Sequence, residues 1–94
     1  MAKPVLMDFY ADWCGPCQQQ TPILESLKKR MGDSVDIQKI DVGVDSAETR
    51  QYAARYDIQF VPTLVVEKDG KLVEKLVGVQ SLDKLEKILK PLVE

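Results

Sequence analysis

From Pro4 to Tyr10 the chain reads PVLMDFY, apolar at every position except Asp8. A run without polar alternation reads as a strand buried on both faces of a sheet. Ala11 to Trp13 turns the chain, and the period then changes. Ile23, Leu24, Leu27 and Met31 recur at helical spacing and predict a long helix that Gly32 closes. Seven residues before Leu24 stands Cys17, nearly two turns away and so on the same inward face. Cys14 falls one turn earlier, at the helix mouth, which predicts that it is the accessible thiol of the two. Pro22, inside this helix, removes one hydrogen bond and predicts a kink.

Val35 to Val42 reads as a second strand. Asp45 and Glu48 have capping-box spacing and open a helix through Tyr52, Ala53 and Tyr56. Thr63 to Glu67 and Lys71 to Val77 read as strands joined at Lys68-Asp69-Gly70, a hairpin signal. Ser81 caps a last helix with Leu82, Leu85, Ile88, Leu89 and Leu92 along one side. The predicted order is βαβαββα, an α/β chain without internal repeat or linker. Its first strand–helix–strand is long enough for a right-handed parallel crossover. The hairpin and last helix then complete a small sheet sandwiched by helices.

Composition narrows the chemistry. A chain of 94 residues supports one core, so residues 1–94 are expected to form a single domain. The net charge of −2 and the absence of any like-charged block argue against nucleic acid or an anionic membrane surface as partner. The longest apolar stretches, such as Val61 to Val66, are too short to span a bilayer. Met1-Ala2-Lys3 leads into folded-looking sequence without a signal-peptide pattern, which predicts a cytoplasmic protein. No histidine is present, which removes Ser-His and Cys-His nucleophilic sites and histidine metal sites. The two cysteines lie three positions apart, and in a reducing compartment such a pair is redox-active or metal-binding more often than structural. Zinc would need about four ligands, and neither a second pair nor a histidine supplies them. Haem attachment would want histidine where Gln18 stands, and a structural bridge this short constrains the unfolded chain little. No metal is therefore expected.

Cys14-Gly15-Pro16-Cys17 opens a helix directly after a buried strand, a setting suited to thiol–disulfide exchange. The two-residue spacer brings both sulfurs within bonding reach, and Pro16 lacks only an amide hydrogen that the first turn leaves unpaired anyway. The free amides and positive end of the helix favour a thiolate at Cys14. Cys14 would attack a substrate disulfide, and Cys17 would resolve the mixed disulfide. Asp8, an acid inside an apolar strand, should have its pKa raised by burial and is a candidate proton acceptor for Cys17. Pro62 cannot donate to a ladder and must stand at the opening of its strand.

The segment Asp8-Phe9-Tyr10-Ala11-Asp12-Trp13-Cys14-Gly15-Pro16-Cys17, with Pro22, Val61-Pro62-Thr63, Gly70 and Gly78, resembles the thioredoxin family from about Pro4 to Leu92. Family members usually carry a further strand and helix before the strand that begins here at Pro4. Tyr10 stands where a second tryptophan is common, Gln18-Gln19-Gln20 replaces a frequent basic residue, and Phe60 takes a position often small. The resemblance implies a thioredoxin fold: a four-stranded mixed sheet of order 2-1-3-4, with first and last helices on one face and the middle helix on the other. It implies that Asp8 is the family's buried aspartate, that Lys39 lies close to it, and that Val61-Pro62 is a cis peptide against the disulfide. Trp13, Gly15, Pro16, Phe60, Val61 and Val79 would form an apolar apron around Cys14, with Gly78 admitting the substrate backbone and Val61 pairing with it. The expected function is protein dithiol–disulfide exchange by a monomer. Its redox group is the Cys14–Cys17 pair with no cofactor, its substrates are disulfide-containing proteins, and a thioredoxin reductase or equivalent re-reduces it. The alternatives are a glutathione-dependent, glutaredoxin-like enzyme, against which Gly15-Pro16 argues, and a binding module whose cysteines are incidental.

Overall fold

The computed structural model describes residues 3–93. The apolar run forms β1 (Val5–Tyr10), and Leu6, Met7, Asp8 and Phe9 are all buried. β1 is central. It runs parallel to β2 (Asp36–Asp41) and antiparallel to β3 (Thr63–Lys68), which pairs antiparallel with β4 (Lys71–Val77). The sheet order 2-1-3-4 is the one the resemblance implies. Lys68 pairs with Lys71 across a loop in which Asp69 (φ 55°) and Gly70 (φ 77°) are both left-handed, the geometry that matches strand twist in a two-residue hairpin.

Side chains alternate along β1, and the two faces have different cores. On one side α1 (Gly15–Met31) and α3 (Leu82–Leu89) bring Leu24, Leu27, Leu85 and Leu89 onto Leu6, Leu64, Val66 and Leu76. Of these leucines, Leu6, Leu27, Leu64, Leu85 and Leu89 are fully buried, and each contributes about 1.5–3 kcal/mol. On the other side α2 (Ala47–Tyr56) packs Tyr52 and Tyr56 against Met7, Phe9 and Val65. The Phe9 ring meets Tyr52 edge-on with centroids 6.2 Å apart, a favoured aromatic geometry. Asp8, two residues from Leu6, shares the α1 side.

Several details differ from the sequence reading. α2 is capped by Ser46, not Asp45: the Ser46 hydroxyl accepts from Thr49 N–H at 3.1 Å, and Thr49 Oγ1 accepts from Ser46 N–H at 3.2 Å. Asp45 instead pairs with Arg50, so the predicted Asp45/Glu48 box is displaced by one residue. Val35 and Val42 flank β2 rather than belonging to it; Val35 fills the α1–α3 core, and Val42 N–H donates to Tyr10 C=O at 2.8 Å. The buried stripe of α1 begins earlier than its aliphatic residues do, because Gln20 is fully buried with Cys17, Leu24 and Leu27. Pro22 lies inside α1, which ends at Gly32 (φ 57°), whose N–H donates to Lys28 C=O. Ser81 caps α3 as predicted, accepting from Lys84 N–H at 3.2 Å. Among the described residues no helix is long and apolar enough to cross a membrane.

Candidate active site

The site forms where β1 hands the chain to α1. Cys14 N–H donates to Ala11 C=O at 3.1 Å, closing the turn after the strand. Cys14 is then the cap of α1: its backbone is extended, and its Sγ accepts from Cys17 N–H at 3.1 Å. Pro16 occupies the first turn, which holds no acidic residue to offset the positive end of the helix. Cys14 and Cys17 are joined in a disulfide, with Cα atoms 5.3 Å apart.

Its place at the helix mouth makes Cys14 the accessible one of the two thiols in the sequence reading; in the disulfide form both cysteines are buried. Cys14 is 4% exposed and Cys17 3%. Cys14 and Cys17 form one buried cluster with Ala11, and Tyr10 and Val61 pack against it. A difference in thiol accessibility is therefore not a property of the oxidised protein.

Asp8 is completely buried, and neither carboxylate oxygen has a hydrogen-bond partner among the described residues. Burial pushes its pKa up to about 6, with the Lys39 charge pulling weakly the other way. Asp8 and Lys39 are register partners across β1 and β2. The Lys39 ammonium closes no ion pair with Asp8; it donates to Thr21 Oγ1 at 3.1 Å and lies 4.7 Å from the centre of the Tyr10 ring. The Tyr10 hydroxyl is pushed above its ordinary pKa by burial, then by Asp41, Asp12 and Asp8, and so stays protonated.

Across the site, Val61–Pro62 is cis, as the resemblance implies, and Pro62 is buried at the entrance to β3. Thr63 Oγ1 donates to Phe60 C=O at 2.6 Å and Gly78 N–H donates to Pro62 C=O at 2.8 Å, so this loop is held from two sides. Gly78 has φ 90°, and a Cβ built there would meet nothing within 4 Å. The position requires glycine for its backbone, and the space before it is open.

Of the predicted apron, the structure gathers Trp13, Phe60 and Val61 on one groove of about 480 Å³, together with Val42, Ala53, Ile58 and Gln59, which sequence reasoning did not assign. Trp13 and Phe60 are 77% and 65% exposed, unusual for such large apolar side chains. Gly15, Pro16 and Val79 are exposed but do not line that groove. Sequence reasoning also missed Gln20 and Gln80. The signal was present: Gln20 stands seven residues before Leu27, the same count that places Cys17 inside.

A cysteine pair bridged over the first turn of a helix, at the end of a central strand and beside exposed apolar side chains, is the apparatus of a dithiol–disulfide oxidoreductase. The thioredoxin family profile matches residues 1–91. The chain is 44% identical over 85 residues to thioredoxin from Bacillus subtilis (strain 168), covering 90% of this chain and 78% of that one. Among solved structures, a mutant thioredoxin from Halobacterium salinarum NRC-1 superposes with a TM-score of 0.83 at 41% identity, over 98% of this chain and 76% of that one. Mitochondrial thioredoxin 3 from Saccharomyces cerevisiae, in its oxidized form, gives 0.81 at 36%, over 98% and 81%. The chain belongs to the thioredoxin family. Its Cys14–Cys17 pair makes it a thioredoxin-type disulfide reductase, a class that acts on disulfide-containing substrates and takes its electrons from a reductase.

Proposed function

We propose that the protein is a general protein-disulfide reductase, a single domain over 1–94, with Cys14 as nucleophile and Cys17 as resolving thiol. The observation that carries this reading is Cys14 as cap of α1, where unpaired amides and the helix dipole favour its thiolate. In the reduced protein the Cys14 thiolate attacks one sulfur of a substrate disulfide and expels the other as a thiolate. Cys17 passes its proton to Asp8 and attacks Cys14 Sγ. The substrate leaves as a dithiol, and the protein is left with the Cys14–Cys17 disulfide. Two electrons have moved, and a separate reductase such as a thioredoxin reductase returns them; no further cofactor takes part. Asp8 suits the proton transfer because an unpaired buried carboxylate with a pKa near 6 is available as a base at neutral pH. Lys39 tempers its charge. Gly15 and Pro16 set the spacing of the pair, and Pro62 holds Val61 beside it.

Trp13, Phe60 and Val61 would seat apolar side chains of an extended substrate segment, while Gly78 and Val79 leave room for its backbone. No step of this scheme calls for a second copy of the chain, and the protein is taken to act as a monomer. A dithiol that must be kept reduced supports the cytoplasm as its compartment.

The test is covalent capture. Cys17→Ser keeps the nucleophile but cannot discharge the mixed disulfide, so it is expected to accumulate disulfide-linked proteins from cell extract. Cys14→Ser should accumulate few. Capture by Cys14→Ser instead would reverse the two roles, and adducts of glutathione alone would favour the glutaredoxin-like alternative.

A further inference from the structure

Gln20 is the one fully buried polar side chain of α1 among the described residues. It spends its whole amide on the main chain of a single distant residue. Its Nε2 donates to Gln80 C=O at 3.0 Å, and its Oε1 accepts from Gln80 N–H at 2.7 Å. The side chain thus imitates a strand partner for one peptide sixty positions away. Gln80, also buried, continues the chain of bonds: its own Nε2 donates to Val77 C=O at 3.1 Å and Gly78 C=O at 3.0 Å. Gly78 N–H then reaches Pro62 C=O at 2.8 Å. A continuous set of hydrogen bonds therefore joins the helix that carries both cysteines to the two loops facing them.

We infer that Gln20 is a positioning residue that holds the Gly78–Val79 segment at its distance from the Cys14–Cys17 pair for the benefit of protein substrates. This rests on the assignment of Gly78 and Val79 to the substrate-binding wall. The core alone has no need of an amide here, since an aliphatic side chain at Gln20 would continue the stripe of Leu24 and Leu27. What an aliphatic side chain cannot do is satisfy the buried N–H and C=O of Gln80, which would be left without partners and would draw the segment out toward water. Both side-chain hydrogen bonds of Gln20 go to Gln80 and none to the cysteines, so its effect should fall on substrates that need the wall and spare those that do not.

The experiment compares wild type, Gln20→Leu and Val79→Asp on insulin and on the small aromatic disulfide dithionitrobenzoate, with amide exchange read at Gln80. In wild type, Gln80 N–H is expected to exchange much more slowly than Val79 N–H. Gln20→Leu should erase that protection and raise KM for insulin about tenfold, the weight of one lost hydrogen-bond pair. Its kcat on insulin and its rate with the small disulfide should stay within about twofold. Unprotected Gln80 in wild type overturns the inference even if Gln20→Leu fails to fold. An insulin KM that does not move, or equal losses on both substrates, overturns it too. Val79→Asp separates the two ideas: if it raises KM while Gln20→Leu does not, only the role of Gln20 falls. If neither does, the binding wall falls with it.

Discussion

Asp8 and Glu86 are both buried carboxylic acids in the layer formed by α1 and α3, and the protein treats them in opposite ways. Glu86, on α3, receives Arg30 of α1 at 2.7 Å and lies 3.8 Å from the Lys90 ammonium. It ties two helices together far from the cysteines. Asp8, on the central strand beneath α1, has no hydrogen-bond partner among the described residues and no exposure at all. Burying a carboxylate without partners costs free energy that Glu86 avoids. A protein concerned only with stability would pair Asp8 or replace it. The contrast separates an acid tied into the structure by ion pairs from a buried acid that has no hydrogen-bond partner among the described residues, the state the proposed proton transfer from Cys17 calls for.

The larger of two stability effects should come from Asp8. Below its unfolded pKa of 3.8, Asp8 is protonated in both states and contributes nothing. Between 3.8 and about 6 only the native state keeps the proton, so stability falls as pH rises, and above 6 the loss is complete. A shift of this size corresponds to about 3 kcal/mol. Asp8→Asn should therefore stabilise the oxidised protein by up to about 3 kcal/mol at pH 8, with the gain shrinking toward zero near pH 4. Denaturant unfolding at the two pH values measures this, and equal gains at both would break the comparison.

Glu86→Gln should do the reverse on a smaller scale. Arg30 is mostly exposed and can return to water, so the loss should be about 1 kcal/mol, with disulfide reduction unchanged. The same pair of unfolding curves, with an insulin reduction assay beside them, decides it. A change in reduction rate would show that the far end of the layer is coupled to the cysteines.

These two acids also mark how far the sequence could be read. The strand–helix handover at Tyr10 to Cys17, the hairpin at Asp69-Gly70 and the inward stripe of α3 are legible because each rests on local periodicity or on a residue with one conformational use. Asp8 was legible for the same reason, as the one polar residue in an apolar run. Glu86 was not: it reads as part of a solvated helix face, and only the approach of Arg30 from another helix shows otherwise. For Gln20 the spacing to Leu27 signalled an inward position, but its partner was hidden, since an amide is welcome in a core only where a partner waits and Gln80 lies sixty positions away. The α2 cap moved by one residue because Ser46 and Thr49 satisfy each other reciprocally, whereas Asp45 can reach Arg50 instead. The accessibility of the Cys14 thiol belongs to the reduced pair, whereas in the disulfide both cysteines are buried.

The central claim is that Asp8 remains unpaired so that it can take the Cys17 proton, and the resolving step tests it most directly. Single-turnover stopped-flow kinetics with a protein disulfide, over pH 4.5 to 8.5, separates formation of the mixed disulfide from its release. In wild type the release rate should rise through a midpoint near pH 6, where Asp8 gives up its proton. In Asp8→Asn that step should slow by roughly a hundredfold and lose this midpoint, while formation changes little. Superimposable release profiles for the two proteins would contradict the account and leave Asp8 a structural carboxylate.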